Sequence, residues 1–184
     1  MTRIGITGHR ILSEIEKINQ GIDIGLTKIE TAYPRPFTII SSLAEGADQL
    51  VVKRALKRWP DCHLTIPLPL PESIYQEQFS DPESKEVFER LLPHAELILP
   101  PPKASNLPEA YQLAGQLMLE MSDVLIAVWD GQPAQGVGGT ASMVAQAQAR
   151  GLPIVWIHAG NRKPGTNLPT SLGSQQGTVS FEGF

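Results

Sequence analysis

Short apolar runs alternate with amphipathic stretches along most of the chain, and this alternation constrains the fold more than any other feature. The apolar runs are rich in Ile and Val and predict strands at residues 4–7, 38–41, 64–67, 96–99, 124–129 and 154–157. Between them, apolar residues recur at spacings of three and four, which predicts helices at residues 12–33, 48–59, 82–92, 108–121 and 140–150. Parallel strands need crossover connections, and those connections supply covering helices. The predicted fold class is therefore a Rossmann-like three-layer α/β/α sandwich with a mostly parallel sheet.

Details of the pattern refine this prediction. Residues 124–129 are apolar at every position, which is typical of a central strand buried on both faces. Ser13, with Glu16 three residues later, predicts a capping box at the start of the first helix. The proline-rich segment 68–107 is interpreted as a wall or lid that brackets one extra helix.

The length of 184 residues fits one domain, which we expect to span residues 1–159. Residues 160–184 form a tail rich in Gly, Ser and Thr with few apolar anchors. We expect much of this tail to be mobile, with a short edge strand at residues 178–181.

Composition excludes several function classes. Fifteen Lys and Arg stand against 19 Asp and Glu, and the net charge of −4 is opposite to the basic footprint of a dedicated nucleic-acid binder. No apolar stretch reaches the roughly 18 residues of a membrane span, and no export signal begins the sequence, so we expect a cytoplasmic protein without a membrane partner. The single cysteine and the scattered histidines predict neither a disulfide nor a metal site.

Ligands of open parallel sheets bind outside the carboxyl ends of the strands, and several polar or glycine-rich loops follow the predicted strand ends. The candidate ligand-binding residues on these loops are Gly8, His9, Arg10, Ser42, Glu45, Gly46, Asp48, Asp130, Gly131, Gly138, Gly139 and Thr140.

Two loops are candidate phosphate cradles. Residues 136–140 directly precede a helix, whose free first-turn amides and dipole favour an anion. The alternative for this loop is a plain turn with a threonine cap. Gly46 allows a sharp strand-to-helix turn, so the amides of residues 45–47 are a second candidate cradle.

The charged loop residues have two interpretations each. Arg10 is suited to clamp a phosphate and His9 to donate a hydrogen bond or act as acid or base, whereas the alternative is a surface turn. The carboxylates of Glu45, Asp48 and Asp130 are candidates for ribose contacts, and Glu45 and Asp130 are the candidate catalytic acids. Asp48 is equally suited to cap its helix.

Five segments together resemble the SLOG superfamily, which groups the Rossmann-like domains of DNA-processing protein A with the Lonely-guy, or lysine-decarboxylase-like, nucleotide phosphoribohydrolases. They are ITGHR at 6–10, SLAEGAD at 42–48, PLP at 67–69, SDVLIAVWDG at 122–131 and GGT at 138–140. The resemblance covers roughly residues 1–158 and implies a nucleotide or nucleotide-derived ligand.

The resemblance also separates the branches of the superfamily. The phosphoribohydrolase branch has a Pro-Gly-Gly-x-Gly-Thr-x-x-Glu run whose glutamate serves catalysis, and Met143 stands at the matching position here. Methionine cannot act as an acid or base, so hydrolysis would need Glu45 or Asp130 instead. The remaining branch comprises small domains that sense nucleotides such as ADP-ribose or NAD derivatives.

The sequence therefore supports three hypotheses. The first is a module that binds or senses a nucleotide-type ligand, for which the sequence identifies no cofactor with certainty. The second is a hydrolase of the N-glycosidic bond of a nucleotide. The third is an accessory protein for single-stranded DNA, which the acidic balance disfavours. We also expect a homo-oligomer, because the 108–121 helix carries an apolar face formed by Leu113, Leu117, Met118 and Met121.

Overall fold

The computed structural model describes residues 1–134 and 138–184. Its strands are β1 (Thr2–Gly8), β2 (Phe37–Ile40), β3 (His63–Pro67), β4 (Leu97–Leu99), β5 (Val124–Trp129), β6 (Ile154–His158) and β7 (Val179–Glu182). Its α-helices are α1 (Ile15–Ala32), α2 (Ala47–Arg58), α3 (Glu72–Glu77), α4 (Pro82–Leu91), α5 (Leu107–Glu120) and α6 (Gly139–Ala149). Gly136 of the predicted phosphate loop lies outside the described residues.

Within the described residues, the strands form one seven-stranded sheet in the order β4-β3-β2-β1-β5-β6-β7. Every pairing is parallel except that of β7 with β6. The predicted Rossmann-like α/β class is confirmed. The chain runs outward from β1 in one direction to β4 and then returns to β5 on the other side of β1. This reversal of strand order leaves a crevice beyond the carboxyl ends of β1 and β5.

Side chains of β5 alternate between two cores because the strand is covered on both faces. Val124, Ile126 and Val128 pack with α1 and α2, whereas Leu125 and Ala127 pack with α5 and α6. All five are fully buried. The expected central strand is thus built from a continuous apolar run, as two-sided burial requires.

The start of α1 differs from the prediction. Glu14 occupies the N-cap position with a left-handed backbone, and no side chain caps the helix there. The Ser13 hydroxyl instead donates to the backbone oxygen of Thr170, 2.8 Å away. The capping-box prediction was wrong because Ser13 ties α1 to the C-terminal tail rather than to its own first turn.

The tail packs against the domain through one buried amide. Gln176 is 3% exposed, and its side-chain oxygen accepts hydrogen bonds from the backbone amides of Gly160 and Leu172. Its Nε2 donates to the backbone oxygen of Ser13. This network holds residues 160–172 beside the crevice, and β7 follows as the antiparallel edge of the sheet.

The apolar face expected on α5 is partly internal. Met118 is 3% exposed and belongs to the core between α5, α6 and the sheet, so it is not available to a partner. Leu113, Leu117 and Met121 are half-buried. No helix among the described residues combines the length and apolar composition needed to cross a membrane.

Candidate functional site

The crevice between β1 and β5 opens into a cavity of about 770 Å³, within the size range of small-molecule sites. The ends of both strands, the start of α6, the helices α3 and α5, and the tail loop at residues 161–170 all contribute to its lining. The predicted site residues that line it are Gly8, His9, Arg10, Ser42, Asp48, Asp130, Gly138, Gly139 and Thr140. Glu45, Gly46 and Gly131 are not part of the lining described.

The start of α6 presents backbone to this cavity. Gly138 is the N-cap residue with φ 81°, and Gly139 has φ 78°. A Cβ added to Gly139 would meet no atom of the described residues within 4 Å. Thr140, in the first turn, is 9% exposed. The first amides of a helix have no intrahelical acceptor, so this turn can receive an anion from the cavity.

The turn after β1 is fixed by the start of α2. The Ala47 amide donates to the backbone oxygen of His9 at 3.1 Å, and the His9 amide donates to that of Val128 at 3.0 Å. Gly46 has φ 84°, and a Cβ there would lie 2.3 Å from the backbone oxygen of Arg10. The prediction of a second amide cradle at residues 45–47 was wrong for Ala47, because its amide already serves His9.

His9 positions the loop after β5. Its Nε2 accepts a hydrogen bond from the Asp130 amide at 3.1 Å and lies 3.2 Å from the Asp130 carboxylate. Burial lowers the pKa of His9, and the Asp130 carboxylate opposes this in part. Because Nε2 accepts the hydrogen bond from the Asp130 amide, this nitrogen is not free to donate to a phosphate.

Glu45, which sequence reasoning made a candidate ribose contact and catalytic acid, is not among the residues that line the cavity. Its carboxylate lies 2.7 Å from Arg10 Nη2 and accepts the Ser80 amide at 2.9 Å. The same Arg10 nitrogen donates to the backbone oxygen of Gln78 at 2.6 Å. Glu45 and Arg10 thus hold residues 78–81, which follow α3, against the crevice.

Asp48 lies in the cavity wall with few partners. Its carboxylate accepts from the Ser41 hydroxyl at 2.7 Å and from the Ala44 amide. Burial raises the pKa of Asp48 to about 7, against its ordinary value of 3.8. Gly46 holds the N-cap position of α2, so Asp48 does not cap the helix as the alternative interpretation expected.

Ser42 serves the neighbouring strand end. Its hydroxyl donates to the backbone oxygen of Pro67 at 2.7 Å and so joins the loops after β2 and β3. This hydrogen bond directly connects the segments 42–48 and 67–69, which are two of the five segments that resemble the SLOG superfamily. Among the described residues, no three side chains of His, Cys, Asp or Glu come together as a set of metal ligands.

Sequence reasoning missed two tyrosines and an arginine of the cavity wall. Tyr75 comes from α3 and Tyr111 from α5, and their hydroxyls have no hydrogen-bond partner in the described residues. Burial raises the pKa of both hydroxyls. Arg162, from the tail, lines the cavity as a second cation in addition to Arg10. The positions of Tyr75 and Arg162 depend on how α3 and the tail fold back, for which the sequence offers no periodic signal.

No known protein family's sequence profile matches the chain, and no curated protein matches it. Among solved structures, it is similar to DNA processing protein A (DprA) from Streptococcus pneumoniae, with a TM-score of 0.53 and 15% sequence identity over 91% of this chain and 53% of that chain. The chain shares the Rossmann-like fold of that structure. It spans about half the length of that DprA chain. A structure described as TM1055 matches with a TM-score of 0.49 and 15% identity, over 84% of this chain and 72% of that one.

One buried residue of the cavity wall bears on its chemistry. Met143, which stands where the phosphoribohydrolase run has glutamate, is 4% exposed and lines the cavity from α6. A buried thioether supplies neither a proton nor a charge. The cavity therefore lacks that carboxylate at this place, while Asp48 and Asp130 remain in its wall.

Proposed function

We propose that the chain binds a nucleotide or nucleotide-derived ligand of the ADP-ribose or NAD type across the carboxyl ends of the strands, and that it acts as a sensor of that ligand. The main observation in support is the start of α6, where Gly138, Gly139 and Thr140 form a helix N-terminus that lines the cavity. A phosphate group of the ligand lies on this turn, because free amides and the helix dipole both favour an anion there.

The cations of the cavity wall support the same assignment. Arg10 and Arg162 line the cavity from opposite ends of the sequence. Arg10 commits Nη2 to Glu45 and to Gln78, and a guanidinium has further N–H donors to offer a phosphate. A ligand with two phosphates, as in ADP-ribose, would use both cations.

Two observations rank the alternatives below binding. Buried Met143 removes the glutamate on which the Lonely-guy reaction depends, which disfavours the hydrolase. The third hypothesis, an accessory protein for single-stranded DNA, requires a basic groove, whereas the net charge is −4 and the site is a cavity with two aspartates in its wall.

Native mass spectrometry of the protein with AMP, ADP-ribose, cyclic ADP-ribose, NAD and NADP tests the proposal. An intact nucleotide mass retained on the protein supports the sensor. A bound ribose phosphate or a released base would favour the hydrolase, and the absence of any adduct would contradict both.

Variants of the α6 turn test where the phosphate lies. Gly139→Val fills the open space before the amides, and Thr140→Ala removes the hydroxyl, so each should weaken nucleotide affinity by tenfold or more, about 1.4 kcal/mol. Gly151→Val is the matched control, because Gly151 follows the other end of α6 with φ 66° and its added Cβ also meets no described atom within 4 Å. Equal affinity of the Gly139 and Gly151 variants would remove the phosphate from this turn.

The proposed sensor is a homo-oligomer with a cytoplasmic location. The half-buried Leu113, Leu117 and Met121 of α5 leave apolar surface for a second copy, without Met118. Light scattering after size exclusion measures the mass directly, and a mass of 20.0 kDa would contradict the oligomer.

A further inference from the structure

The hydroxyls of Tyr75 and Tyr111 are the unexplained polar atoms of the cavity. Tyr75 is 1% exposed, and both Oη atoms are buried without a hydrogen-bond partner in the part of the chain that the structure describes. A buried polar group without a partner costs free energy on folding. Both side chains line the cavity, so a ligand that enters it can supply the missing partners.

The ring of Tyr75 packs among other aromatic rings. Phe79 and Phe88 pack edge-to-face against it, with ring centroids 5.0 and 5.8 Å away. The ring of Tyr111 lies 6.0 Å from it. A nucleobase would need an open aromatic face for stacking, and Tyr75 has aromatic neighbours on these sides.

Asp48 belongs to the same cluster. After burial itself, the nearby Asp48 carboxyl is the largest contribution that raises the pKa of Tyr75. Asp48, Tyr75 and Tyr111 all line the cavity, and the two tyrosine rings lie 6.0 Å apart, so two phenols and one carboxyl are grouped in its wall. This set can both donate and accept hydrogen bonds, whereas a second phosphate would meet the charge of the carboxylate.

We infer that Tyr75, Tyr111 and Asp48 form a subsite for the ribose hydroxyls of the bound nucleotide. The inference rests on the proposed function and names the part of the ligand that this end of the cavity selects. A sugar hydroxyl both donates and accepts, which matches phenol and carboxyl partners.

The place of the subsite agrees with the covalent structure of a nucleotide. Gly138, at the α6 start, lies against Pro108 and Gln112 of α5, and Tyr111 belongs to the same stretch of that helix. The proposed phosphate turn and the tyrosines are thus neighbours. In a nucleotide the ribose is attached directly to the phosphate, so a phosphate on α6 places the sugar, rather than the base, beside α5.

Calorimetric titration with AMP, 2′-deoxy-AMP and 3′-deoxy-AMP tests the subsite. The wild-type protein should bind AMP about tenfold more tightly than either deoxy form. This ratio corresponds to the net free energy of one or two hydrogen bonds. Tyr75→Phe and Tyr111→Phe should each reduce this ratio to about threefold or less for at least one deoxy form. Their affinity for that deoxy form should equal the wild-type value, because the lost hydroxyl had no partner in that complex.

Tyr33→Phe is the control variant, since Tyr33 packs against Phe184 and does not line the cavity. It should keep the wild-type ratio. Asp48→Asn, which preserves shape, should lower AMP affinity more than deoxy-AMP affinity.

The outcomes separate the two proposals. If AMP binds but the deoxy forms bind equally well, the ribose subsite is wrong and the nucleotide site stands. If the tyrosine variants lose the same amount of affinity for all three ligands, the ribose subsite is likewise wrong. If neither these nucleotides nor the five compounds used for mass spectrometry bind, both proposals fail.

Discussion

The loop between β2 and α2 and the loop that leads into α6 flank the same crevice but use their polar groups differently. In the first, the Ala47 amide serves His9, the Glu45 carboxylate serves Arg10 and Ser80, and Ser41 serves Asp48. In the second, a Cβ on Gly139 would meet nothing within 4 Å in the described residues. The first loop is a scaffold held by internal contacts, whereas the described start of α6 leaves space beside Gly139 for a ligand.

This difference predicts that a Gly→Ala substitution destabilises the fold more in the first loop than in the second. Gly46→Ala should destabilise the fold by about 3 kcal/mol or more, because the added carbon lies 2.3 Å from a backbone oxygen at φ 84°. Gly139→Ala has a similar φ of 78° without that clash, and should cost about 1 kcal/mol. Urea unfolding measures both. Equal costs would show that the two loops do not differ in packing.

Asp48 should make the stability of the scaffold loop depend on pH. Its folded pKa of about 7 lies above the ordinary 3.8, so the folded state binds a proton that the unfolded state has released between these values. Stability from this group is complete below about pH 4 and is lost as the pH rises through 7, at about 1.4 kcal/mol per pKa unit.

The Asp48→Asn variant isolates this contribution. Subtracting its unfolding free energy from that of the wild type between pH 4 and 8 also removes the opposite trend expected from His9, whose pKa is lowered. The difference should fall steadily with rising pH. A difference that is flat across this range would contradict the buried, weakly partnered state of Asp48.

Glu45→Gln tests whether the scaffold loop holds residues 78–81. Loss of the buried charge beside Arg10 should cost about 2 kcal/mol, less than a fully buried pair because Arg10 is 40% exposed. The Ser80 amide, which donates to Glu45, should exchange its hydrogen faster. Asp61→Asn is the control, since its pair with Arg35 is exposed and should contribute less than about 1 kcal/mol. Unchanged exchange at Ser80 would argue against this anchoring role.

Tyr75→Phe should have the smallest effect on the unliganded protein, and a favourable one. Removing a buried hydroxyl without a partner should stabilise the fold by up to about 1 kcal/mol. A thermal melt of the two proteins without ligand measures this. A clear loss of stability would mean that the hydroxyl has a partner in the folded chain and is not reserved for a ligand.

The sheet could be predicted from the sequence because its signal is local. An apolar run such as residues 124–129 must be buried on both sides, and alternating helices then dictate parallel pairing. The same rule directed attention to the strand ends, where His9, Arg10 and Thr140 now line one cavity.

The use of each side chain could not be predicted, because it depends on distant partners. Glu45 and Asp48 are three residues apart, yet one serves Ser80, 35 positions along the chain, and the other faces the cavity. Tyr75 reaches the site only because α3 folds back over it. Sequence spacing carries no information about such contacts.

Amide NMR of the isotopically labelled protein during titration with AMP tests the central claim most directly, because it reports on the backbone groups that are proposed to bind phosphate. The account predicts that the largest shift changes occur at the amides of Gly139 and Thr140, with smaller changes around Tyr111. Binding accompanied by changes confined to other surfaces, with the α6 turn unaffected, would contradict it.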